Sequence, residues 1–97
     1  MNDATGSSTR AAAGTSVRPA AAGVDRDRSL AAALAREGHG RHAQRELNAA
    51  LRWYRLALDF DPDCYDAWVG LSASFLALRD VNRAAGCLEV ARTLGAR

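Results

Sequence analysis

The side chains able to hold a metal or act as a nucleophile are few. They are His39, His42, Cys64 and Cys87, with Asp59, Asp61, Asp63 and Asp66 clustered around a proline. His39 and His42 stand three apart, so a helix would present both on one face, and with the two cysteines they would make a four-ligand set. The spacing argues against it, because Cys64 and Cys87 are 23 positions apart and no Cys-x2-Cys pair exists. The aspartates lack the central glycine and closing glutamate of a calcium loop and read as solvated helix ends. No nucleophile with a base and an oxyanion donor, and no carboxylate pair in a cleft, is readable. The expectation is therefore no enzyme, no metal and no cofactor.

With 97 residues the chain holds at most one small domain. Apolar residues make up 48%, largely alanine, and only six are aromatic, so a core must come from closely approached helices. Thirteen basic against eleven acidic groups leave a net charge of +2, too little for a broad nucleic-acid footprint. All the basic charge is arginine, which with the alanine excess suggests a GC-rich bacterial coding bias. Cys64 and Cys87 lie within apolar helical patterns and no signal segment precedes them, so both are expected as buried free thiols. No run approaches the roughly 18 apolar residues of a membrane span, and a cytoplasmic location is expected.

From Met1 to Arg28 the composition is too poor in large aliphatic side chains to offset ordering entropy, which predicts a disordered tail over 1–28. Asp25–Ser29 reads as a helix entry, with Asp27 or Ser29 as the cap. Four helical stretches follow over 29–97. Leu30 and Leu34 open the first, which runs to about Ala43. Leu47, Ala50, Leu51, Tyr54, Ala57 and Leu58 stripe the second. Pro62 stops it and can sit in the first turn of the third, which carries Tyr65, Trp68, Leu71, Phe75 and Leu78. Val81, Ala84, Leu88, Ala91 and Leu94 mark the fourth, with Asp80 placed to cap its start and Gly95 to end it in a left-handed turn.

Shifting the chain by 34 residues sets Leu34 on Trp68, Gly38 on Ser72, Leu47 on Val81, Ala50 on Ala84, Tyr54 on Leu88, Ala57 on Ala91 and Phe60 on Leu94. So many matches of size or polarity at one offset define an internal repeat. The run Trp68-x2-Leu71-Ser72-x2-Phe75, then Ala84-x3-Leu88 and Ala91, with Ala50-x3-Tyr54, Ala57 and Pro62 in the first copy, resembles the tetratricopeptide repeat over about residues 31–96. The resemblance implies an all-α fold of two antiparallel helical hairpins. The motif specifies packing: small Gly38, Ala50, Ser72 and Ala84 let helices approach, and bulky neighbours fill the space beside them. The first copy departs from the pattern at Glu37, Gly40 and Arg41, which leaves its first helix open to a break near Gly38–Gly40.

Stacked repeats bury their apolar faces on one another, and with no polar capping helix after the fourth apolar stretch the last hairpin is expected to be uncapped. If about 300 Å² of apolar surface stayed exposed on the last hairpin, covering it would gain roughly 7 kcal/mol gross. The expected function is a non-catalytic protein-interaction module that self-associates or docks on another bacterial protein, with Leu88, Leu94 and Trp53 as the docking face. By the resemblance, partners lie along the first helix of each repeat, at Arg36, His39, His42, Val69, Ala73 and Leu76. That groove would be basic at one end and apolar at the other, suited to a peptide with an acidic group beside aliphatic anchors. Two alternatives stand beside this. One is a small chaperone or adaptor of a bacterial secretion system, since Cys64 and Asp66–Gly70 also resemble a stretch of the N-terminal repeat domain of type VII secretion ATPases. The other is nucleic-acid binding through Arg41, Arg45, Arg52 and Arg55, were they to line one long helix.

Overall fold

A computed structural model describes residues 17–97, with side chains described from Gly23 onward. They form four helices and no strand: α1 (Val17–Ala43), α2 (Leu47–Phe60), α3 (Tyr65–Ala77) and α4 (Val81–Gly95). The chain is all-α. The expectation of a tail reaching Arg28 meets a helix that already begins at Val17, so Asp25–Ser29 lies inside α1 and caps nothing. The stretch lacks core-forming side chains, but a helix nucleated in the alanine-rich run from Leu30 propagates outward through Ala20–Ala22 at little cost per residue, with Pro19 tolerated in its first turn. The part of the tail over 1–16 lies outside the described residues. α1 also runs unbroken through Gly38 and Gly40.

The two hairpins repeat at the level of individual hydrogen bonds. After α1, the Arg45 amide donates to the His42 carbonyl at 2.9 Å and the Glu46 amide to the Arg41 carbonyl at 2.9 Å. After α3, Arg79 donates to Leu76 at 3.0 Å and Asp80 to Phe75 at 2.8 Å. Each pair is a Schellman closure, which needs its penultimate residue in the left-handed region. Arg45 (φ 64°) and Arg79 (φ 68°) supply it, and they are separated by the same 34 positions as the sequence repeat. The left-handed turn expected at Gly95 is absent: Ala96 beyond it is right-handed (φ −80°), and Gly95 instead lies close against the Tyr65 ring.

Between the hairpins, Asp61 is extended (φ −145°), the conformation that a following proline imposes. Pro62 stays in the turn and does not enter α3, where its carbonyl accepts a 2.7 Å hydrogen bond from Trp68 Nε1. Asp80 caps α4 as expected, its carboxylate accepting from the Arg83 amide at 3.2 Å. The core holds Ala31, Ala35, Ala50, Leu51, Tyr54, Ala57, Cys64, Ala67, Leu71, Phe75, Ala84 and Cys87. Alanine dominates it, which is why the helices can approach closely. Among the described residues α1 packs on α2 and α3, α2 on α1 and α3, and α4 on α3 alone.

Candidate functional site

Tyr54 is the largest fully buried side chain and the joint between the hairpins. Its ring fills the space that a Cβ would need at Gly38 on α1 (2.6 Å from Cε1) and at Gly70 on α3 (2.3 Å from Cε1 and Cζ). Only glycine at both positions lets three helices close around one ring. The Tyr54 hydroxyl is hydrogen-bonded to His39 Nδ1 at 2.7 Å, with the two rings edge to face at 5.2 Å between centroids. Burial pushes the Tyr54 phenol above its ordinary pKa. Nearby, His42 Nδ1 is hydrogen-bonded at 2.9 Å to Ser74 Oγ, which is otherwise cut off from water. Each histidine thus makes an internal contact through Nδ1, His39 to α2 and His42 to α3, while His39 stays exposed and His42 half-buried.

The rest of the groove expected along the first helix of each repeat divides. Arg36 is exposed on α1. On α3, Val69 is half-buried while Ala73 and Leu76 are exposed, and with Tyr65 they recur at helical spacing as one stripe. On α4, Val81, Ala85 and Leu88 form a second exposed stripe. Tyr65 is 50%, Leu76 54%, Val81 62% and Leu88 54% accessible. The repeat gives these values meaning. Their counterparts in the first hairpin are Ala31, His42, Leu47 and Tyr54; Ala31 and Tyr54 are sealed, and His42 and Leu47 are half-covered. In the first hairpin the next helix, α3, covers this surface; among the described residues no element does so for the second.

The three residues expected to share a docking face do not. Leu88 lies on the α4 stripe, whereas Leu94 projects from the other flank of α4 and is half-buried. Trp53 lies on α2, a helix whose backbone does not pack on α4, in a shallow groove of about 440 Å³ with Arg41, Ala49, Arg52 and Leu56. Helical spacing places each residue on its own helix but does not say which neighbouring helix covers it, so it could not separate these surfaces. What the sequence reading missed is the set Tyr65, Val81 and Ala85; asking which buried positions of copy one have bare equivalents in copy two would have found it.

The arginines considered for nucleic acid do not line one helix: Arg41 lies in the last turn of α1, Arg45 in the turn that follows, and only Arg52 and Arg55 share α2. Arg41 is paired with Glu46 at 3.0 Å and with Glu37 at 3.3 Å, and the Glu46 hydrogen bond raises its pKa further. Arg55 lies over the Phe75 ring from one helix and Arg83 from another, each 5.9 Å from the centroid. Of the aspartates, Asp61 accepts from the Asp63 amide at 3.1 Å and Asp63 pairs with Arg97 at 3.2 Å. Cys64 and Cys87 are buried free thiols, and burial raises both their pKa values. Among the described residues no three His, Cys, Asp or Glu side chains converge as a metal site, and no helix is long and apolar enough to cross a membrane.

Compared with family models, with curated proteins and with solved structures, the chain matches none.

Proposed function

We propose that the chain is a non-catalytic protein-interaction module made of two tetratricopeptide-like repeats, and that its working surface is the α3–α4 face. One observation carries this reading. Tyr65, Leu76, Val81 and Leu88 are half or more exposed at positions whose first-hairpin counterparts are fully or partly covered by neighbouring helices. Large apolar side chains gathered on one face of a small protein mark a surface meant to be covered. Their stripes contain no ionised group until Arg92, which is paired with Glu89. The chemistry is that of docking onto another apolar protein surface.

The reading is tested by placing a photoreactive amino acid at position 88 in the cell and, as a control, at exposed Asn82 off the stripe. Protein adducts concentrated at position 88 are expected. Equal or absent adducts at the two positions would refute an interaction role for this face.

A further inference from the structure

We infer that the α3–α4 face is closed by the same face of a second copy of this chain, in a tail-to-tail pair with twofold symmetry. This rests on the interaction reading above and names its partner. The argument comes from comparing the two ends of the repeat.

In α3, the surface that seals the preceding hairpin consists of Ala67, Gly70, Leu71 and Ser74, all buried. Shifted back by one repeat, the corresponding α1 residues are Ala33, Arg36, Glu37 and Gly40, and all four are exposed. The leading end therefore carries charge where the internal junction carries a glycine and a leucine. If a second copy stacked its α1 onto the free α3–α4 face, imitating the internal junction, Arg36 would occupy the place of Gly70. Gly70 is the position where Tyr54 leaves no room even for a Cβ. Leu88, the counterpart of Tyr54, would meet the Arg36 guanidinium, and Glu37 with its Arg41 partner would be desolvated in the place of Leu71. Head-to-tail growth is thus opposed by sequence at the leading end.

The trailing face has no such conflict with itself. Its centre is Leu76, Val81, Ala85 and Leu88, uncharged throughout, so a twofold axis brings no like charges together. An isologous contact also closes after two copies, leaving no free apolar end to propagate. The exposed fractions of Tyr65, Leu76, Val81 and Leu88 amount to roughly 350 Å² of apolar area per copy, judged from the surface of such side chains. Two copies with a polar rim then reach roughly 1,200 Å², the lower bound of a specific interface.

Sedimentation velocity of the full chain across concentration is expected to give a monomer–dimer equilibrium with no larger species. Leu88→Arg is expected to raise the dimer dissociation constant by at least about a hundredfold, with helicity by circular dichroism unchanged. Ala85→Arg, at an exposed position, provides the same reading should Leu88→Arg disturb the fold. Ala85→Cys is expected to form a disulfide with itself across the pair under oxidation. An open series of species that shrinks on Arg36 or Glu37 substitution would overturn the proposal in favour of head-to-tail stacking. A monomer at every concentration would also overturn it. In that case adducts of position 88 with other proteins would leave the interaction reading standing, and their absence would remove both.

Discussion

Gly70→Ala is expected to destabilise the chain even though it replaces a poor helix former in mid-helix by the best one. Helix propensity alone predicts a gain of about 1 kcal/mol. Against it stands the Tyr54 ring, whose Cε1 and Cζ lie 2.3 Å and whose Cε2 lies 2.8 Å from the new methyl, where carbon atoms rest about 3.5 to 4 Å apart. The ring is rigid, 1% exposed, tied through its hydroxyl to His39, and already pressed against Gly38. Relief therefore requires the α2–α3 contact to open by about 1 Å, an overpacking cost of about 1 to 3 kcal/mol or more. Gly86 gives the matched control, since a Cβ there meets nothing within 4 Å and Gly86→Ala keeps the whole propensity gain. The propensity gain is common to both, so the two substitutions are expected to differ by the overpacking cost itself, about 1 to 3 kcal/mol, with the urea midpoint followed by circular dichroism lower for Gly70→Ala. Removing the ring with Tyr54→Leu is expected to abolish the penalty of Gly70→Ala in a double-mutant cycle. A Gly70→Ala chain as stable as Gly86→Ala would refute the account of the joint.

Three further outcomes follow from the turns and the buried groups. Arg45→Gly and Arg79→Gly each relieve a side chain held at positive φ, and each is expected to stabilise by about 1 kcal/mol, seen as an upward Tm shift of about 4 to 8 °C. Cys64 and Cys87, buried and with raised thiol pKa, are expected to react with a thiol reagent near neutrality far more slowly than in urea, at a rate that follows unfolding. The folded state holds the Tyr54 phenol protonated above its unfolded pKa of 10.0. The resulting stability is whole below that pH and is lost as pH climbs through the raised folded value. Denaturation midpoints measured on the alkaline side are expected to fall in the parent and to fall less in Tyr54→Phe.

How far the molecule is legible from its residues depends on whether a feature is local. Helix limits at Ala43, Leu47, Phe60, Tyr65 and Val81 follow from apolar period, Pro62 and Asp80, each of which acts within a turn of itself. The 34-residue offset between side chains reappears in backbone geometry at Arg45 and Arg79. The start of α1 lies earlier than core-forming side chains indicate because a helix, once nucleated, extends into residues that have no core to join. The roles of His39 and His42 depend on atoms 15 and 32 positions away, and no spacing rule announces them. Gly70 lies in a run that reads as part of a packing motif, yet its necessity comes from the Tyr54 ring on another helix. The exposed face is intermediate: no single helix declares it, but the comparison of two equivalent hairpins does.

Among the described residues α4 packs on a single helix, whereas every other helix packs on at least two. Its amides therefore have the shortest ladder of contacts to break before they meet solvent, and local opening costs less there than in α2. Amide exchange is expected to be fastest in α4 and slowest around the Tyr54 joint. Whatever settles on α4 supplies its missing second neighbour, so occupancy and the rigidity of the last helix rise and fall as one equilibrium.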